Sequence, residues 1–130
     1  MNTGEIKKFV QKTLGCGCPE EVFRQIDYQA DIMAGNILLS ARINIGNRLL
    51  VYVAEVDNTE TIENLLPQLI DIGKKERDAF GFNRFRLVLA VDEIEEMERI
   101  ATDLFGKINK DEKVHLHAVS KENMPDFSNT

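Results

Sequence analysis

The stretch Leu49-Leu50-Val51-Tyr52-Val53-Ala54-Glu55-Val56 is apolar at odd and even positions alike. Successive side chains of an extended chain point to opposite faces, so such a strand must be covered on both sides. It is far shorter than the roughly 20 apolar residues that a bilayer span requires. A chain containing it is therefore driven toward a sheet with a layer of structure on each face. The 130 residues are enough for one domain around one such sheet.

The flanking segments change period in a way that fits this plan. Ile6, Phe9, Val10, Thr13 and Leu14 recur at helical spacing, and Gly15 marks an end. Pro19 suits the first position of a short second helix, with Cys18 as its N-cap and Glu20 and Glu21 in its first turn. Ile26, Tyr28, Ala30 and Ile32 then alternate with polar residues, as do Ile37, Leu39, Ala41, Ile43 and Ile45. Ala34-Gly35-Asn36 and Gly46-Asn47 are turn signals, so these strands and 49–56 form an antiparallel meander whose first strand is an edge. Ile62, Leu65, Leu66, Leu69 and Ile70 mark a helix in which Pro67 predicts a broken first turn, with the main helix running to Phe80 before Gly81. Residues 85–91 form a fourth strand. Asp92 would cap a helix that Gly106 stops, and 113–119 form a fifth strand. The element order is α-α-β-β-β-α-β-α-β. It specifies a mixed α/β domain with a five-stranded mixed sheet, in which right-handed crossovers make the last three strands parallel. Residues 1–119 form a single domain, and the polar stretch 120–130 is a loose tail.

Charge narrows the function classes. Lys and Arg number 16 against 22 Asp and Glu, for a net charge of −6 and a pI near 4.9. That balance argues against coating nucleic acid by bulk charge. The surplus lies beyond residue 56, largely in Asp92-Glu93-Ile94-Glu95-Glu96-Met97-Glu98. This acidic face and the mixed segment 74–86 suit a protein partner or a homodimer. No signal peptide or spanning segment is visible, so a cytoplasmic location and no membrane partner are expected. Phosphate-loop and nucleophile-elbow motifs are absent.

The segment with chemical potential is Leu14-Gly15-Cys16-Gly17-Cys18-Pro19-Glu20-Glu21. Its two soft sulfurs lie between glycines that let the backbone wrap closely around a bound atom. A helix start beside them favours the thiolate, the form that attacks or ligates, while the two glutamates oppose it. Cys16 and Cys18 could close a small, easily reduced disulfide, or ligate zinc or another thiolate-binding metal. Two ligands are too few for closed zinc, which wants four. His115 and His117 share one face of the fifth strand and would complete a Cys₂His₂ set if that strand ends beside the glycine loop. The plainer use of both cysteines is to pack as small hydrophobes in a tight corner. Arg84 and Arg86 also share a face, and such a pair can grip a phosphate or a carboxylate. No general base, nucleophile pair or cofactor loop accompanies the thiols. The expectation is a thiol-bearing accessory domain, for metal binding or reversible thiol chemistry, rather than a complete enzyme. The rival is a non-catalytic interaction module with structural cysteines.

The opening order of helix, three meander strands, helix and strand over residues 3–91 is similar to the core of restriction-endonuclease-like nucleases. That resemblance implies an acid near the second strand and Asp/Glu-x-Lys on the third, holding magnesium. The matching position here reads Glu55-Val56-Asp57, without the lysine, and Asp27 and Asp31 lie on the first strand. A third reading is therefore a degenerate nuclease-like domain, in which Asp31, Glu55 and Asp57 could hold a hard cation if the strand ends converge.

Overall fold

The computed structural model describes residues 3–125. A five-stranded sheet runs in the order β1 (Ile26–Ala34), β2 (Ile37–Ile45), β3 (Leu49–Val56), β4 (Arg84–Val91) and β5 (Val114–Ser120). The first three strands pair antiparallel and the last three parallel. Helices α2 (Thr59–Phe80) and α3 (Ile94–Ile108) are the two crossovers. The mixed α/β sheet expected from the periodicity is present.

Both faces of β3 are covered, as its composition demands. Leu50, Tyr52, Ala54 and Val56 join Leu66, Leu69, Leu87 and Met97 in a core beneath α2 and α3. Leu49, Val51 and Val53 join Ile6, Phe9, Val10 and Leu14 in a second core beneath the N-terminal segment. Contact with α2 is tightest at Gly73, where a Cβ would overlap the Phe85 ring. That glycine is a packing requirement and not a turn.

Five local expectations are corrected. The first helix is only α1 (Thr3–Lys8), which widens into a π-helical turn over Phe9–Thr13. The second is a short 3-10 turn, Glu20–Arg24, and Pro19 rather than Cys18 precedes it, with no side-chain cap. A single 3-10 turn has little of the macrodipole that was expected to favour a thiolate.

Next, α2 is continuous through Pro67, with Asn58 capping its start by accepting from the Thr61 amide at 2.9 Å. Pro67 removes the amide that would bond the Glu63 carbonyl, but both residues are exposed, so water can meet that carbonyl. Buried Ile62, Leu66, Leu69 and Ile70 bracket the proline and hold the helix to the sheet.

In α3, Glu93 rather than Asp92 is the N-cap, and the helix passes Gly106 to Ile108. Gly106 does not adopt the left-handed conformation that ends helices, and the Asn109 amide still bonds the Phe105 carbonyl at 2.9 Å. Finally, the β1–β2 hairpin does not keep one stripe on one face. Ile26 and Tyr28 belong to the N-terminal core, whereas Ile32 and Ala34 belong to the core beneath α2. The switch falls around Asp31, whose φ is 50°, and β2 passes between the same cores opposite it, between Ala41 and Leu39.

At the carboxyl end, Lys121–Asn123 form a 3-10 turn, Lys121 Nζ meets Asp57 at 2.5 Å and Asp92 at 3.3 Å, and Met124 packs on the N-terminal core. The remainder of the expected tail, 126–130, lies outside the described residues. Among the described residues, no helix is long and apolar enough to cross a membrane.

Candidate functional site

The site grows from the end of the π-helical turn. Its wide geometry returns the Leu14 amide to the Phe9 carbonyl at 3.1 Å. Gly15 then takes a φ of 67°, and the Cys16 amide turns back to the Val10 carbonyl at 3.1 Å. Glycine enters that left-handed region without steric cost, so the chain can reverse directly into Cys16-Gly17-Cys18. Cys16 and Cys18 approach to disulfide distance, with Cα atoms 5.3 Å apart. Both are half-buried and rest on the N-terminal core, so they are neither sealed in hydrocarbon nor fully in solvent.

The loop overhangs a cavity of about 520 Å³ lined by Cys16, Gly17, Cys18, Pro19, Val22, Leu49, Asn83, Arg48, Arg84, Arg86 and His115. One strand, β4, and one turn supply its cationic wall. The turn after β2 has positive φ at Gly46 (59°) and Asn47 (57°), and the Arg48 amide closes it on the Ile45 carbonyl at 3.0 Å. The Asn44 side chain accepts from the Asn47 amide at 2.8 Å and so fixes the turn. The Gly46 amide bonds the Gln25 carbonyl at 2.6 Å, and a Cβ on Gly46 would strike Val22. This turn is thereby pressed against the 3-10 segment that follows the cysteines. The Asn83 amide reaches the Arg48 carbonyl at 2.8 Å, so the turn is also stitched to the start of β4.

Arg84 and Arg86 project from β4 on the face opposite Phe85 and Leu87, which belong to the other core. Parallel register sets Arg86 beside His115 and Val88 beside His117 on β5. Arg86 Nη1 donates to the Leu14 carbonyl at 2.9 Å, anchoring the glycine loop to the sheet. The same nitrogen lies 2.9 Å from His117 Nε2, and Arg84 Nη1 lies 3.3 Å from His115 Nε2. A guanidinium can only donate, so each Nε2 accepts and each neutral ring carries its proton on Nδ1. Burial, followed by the charge of Arg86 and the neighbouring His115, lowers the His117 pKa to about 4. Burial and the two arginines also lower that of His115. Burial, with the charge of Arg84, depresses even the Arg86 guanidinium.

The structure thus brings Cys16, Cys18 and His115 to one cavity, beside the start of β5 and not its end. His117 is not among the lining residues and is engaged by Arg86 instead. The described residues contain no group of three or more His, Cys, Asp or Glu side chains placed to hold a metal ion. Of the acids singled out on the nuclease resemblance, Asp31 and Glu55 are exposed and Asp57 pairs with Lys121. Sequence reasoning paired Arg84 with Arg86 but missed Arg48. Its signal was the Gly46-Asn47 turn, which leaves the following residue at the strand's amino end. No protein-family model matches the chain, and neither a curated protein nor a solved structure matches it.

Proposed function

We propose that the domain performs reversible thiol–disulfide chemistry through Cys16 and Cys18, as an accessory protein in a reducing, cytoplasmic setting. The observation that carries this reading is the pair of half-buried sulfurs at disulfide distance over a cavity walled by three arginines. Cationic neighbours stabilise a thiolate, and only the thiolate attacks a disulfide. The arginines fill the part that the missing helix start would have played. They also disfavour the metal reading, because a cation would enter a field already positive and take imidazole nitrogens that now accept from guanidinium.

Closing a loop of only two residues' separation restricts the unfolded chain little, so this disulfide is suited to cycling rather than to stapling. The test is a redox titration against dithiothreitol with mass-resolved thiol labelling. Two thiols should appear and disappear together, and alkylation against pH should place one of them well below the free value of about 8.5. Two thiols that titrate near the free value and never close a disulfide, or stoichiometric zinc lost in Cys16→Ser/Cys18→Ser, would sink the reading.

A second reading, self-association, is favoured by Met33 and Leu38. These two paired residues of the edge hairpin are 57% and 59% exposed. A concentration-dependent size on a calibrated column supports it, and a constant monomer size removes it.

A further inference from the structure

We infer that the arginine wall selects the co-reactant: the cysteine pair exchanges with low-molecular-weight disulfides that carry carboxylates. This rests on the thiol–disulfide reading above and names its substrate class. The chain has a net charge of −6, so carboxylates are in excess. Even so, among the described residues Arg48, Arg84 and Arg86 form no ion pair with any of them, while Arg42, Arg77, Lys7, Lys75 and Lys121 do find acids. Three guanidinium groups are gathered around one cavity without a protein counterion. Such crowding of like charge is unfavourable until an anion enters, and the planar guanidinium fork matches a carboxylate in two-pronged fashion. His115 and His117 are held neutral, so they add no charge and leave the selection to the arginines. A volume of about 520 Å³ admits a small molecule, with Pro19, Val22 and Leu49 offering apolar surface to its methylene groups.

In the reduced protein, one cysteine thiolate attacks a sulfur of RSSR. A protein–S–SR bond forms, the RS–SR bond breaks, and RS⁻ leaves and takes a proton from solvent. The second cysteine gives its proton to solvent and attacks the protein sulfur of the mixed disulfide. The Cys16–Cys18 bond forms and a second RS⁻ leaves. Two electrons pass from the protein dithiol to RSSR, which becomes two RSH. Run backward, the same steps reduce the protein with the anionic thiol.

The experiment oxidises the reduced full chain with three reagents: anionic glutathione disulfide, neutral hydroxyethyl disulfide and cationic cystamine. Each rate is divided by that of dithiothreitol with the same reagent, which removes intrinsic reactivity. At low salt the anionic reagent should exceed the neutral one by roughly tenfold, and the cationic one should fall below it. Added salt should narrow the gap. Arg48→Gln/Arg84→Gln alters two exposed side chains and should collapse the ratio of anionic to neutral rate. Because that ratio is taken within each variant, it is insensitive to any change in thiol pKa. Equal normalised rates for the three reagents, or a gap that survives in the variant, would overturn the substrate class while leaving the thiol chemistry standing. Failure of all three reagents to close the disulfide would remove both.

Discussion

At the scale of single residues, His117, a candidate ligand on the sequence, is a half-buried acceptor in the fold. On the sequence it was one of two imidazoles on a strand face. In the fold its Nε2 accepts from Arg86, and burial with that charge lowers its pKa to about 4. An unfolded chain protonates the same ring near 6.5. Between these values the unfolded state binds the extra proton and the folded state does not. Stability therefore falls as pH drops from about 6.5 toward 4 and is unaffected by this group above that window. The expected loss is about 2 kcal/mol once the ring's partial solvent contact is allowed for. Urea denaturation of the wild-type protein and His117→Asn at several pH values measures it, and the variant should show a shallower slope there. A His117 ring that titrates near 6.5 by NMR would contradict the environment described. Asp31, at φ 50°, lies where the hairpin passes from one core to the other, a passage that β2 makes opposite it between Ala41 and Leu39.

At the scale of elements, α2 tests how far packing overrides propensity. Pro67 lies in its interior, where proline costs about 3 kcal/mol relative to alanine. The helix persists because four buried residues around the proline hold it to the sheet. Since Pro67 itself is exposed, Pro67→Ala restores a backbone hydrogen bond without disturbing the core. It should raise stability by roughly 1–3 kcal/mol, read as a higher urea midpoint at unchanged slope. A lower midpoint would mean that the proline shapes the helix for packing. Strands β1 to β5 were legible from alternation and turn residues, since those patterns follow from the two-residue repeat of an extended chain. The short N-terminal segments were less so. The spacing of Ile6, Phe9, Val10 and Leu14 fits an α-helix as well as a helix that widens into a π turn, and the choice rests on how Leu14 and Cys16 return to the sheet.

At the scale of the whole molecule, the cysteine loop is an attachment to a fold that stands on two large cores. Both cysteines lie at the margin of the N-terminal core, and their disulfide spans a sequence separation of only 2. Reduction should therefore lower global stability by no more than about 1.5 kcal/mol and leave a single cooperative transition. Thermal unfolding with and without dithiothreitol measures this, and a loss several times larger would make the bond a structural staple. Much of this organisation was determined by the sequence alone: the two-sided β3, the meander, the parallel crossovers and the candidate loop at Cys16 and Cys18. Each of these depends on neighbours along the chain, through side-chain periodicity or through glycine and proline geometry. The tertiary structure alone decided what faces the sulfurs. Arg48, Arg84, Arg86 and His115 come from a turn and two strands far along the chain, and only β-sheet register and the Arg86 bond to the Leu14 carbonyl bring them to the cavity. Convergence of this kind is set by long-range pairing, which local spacing does not encode.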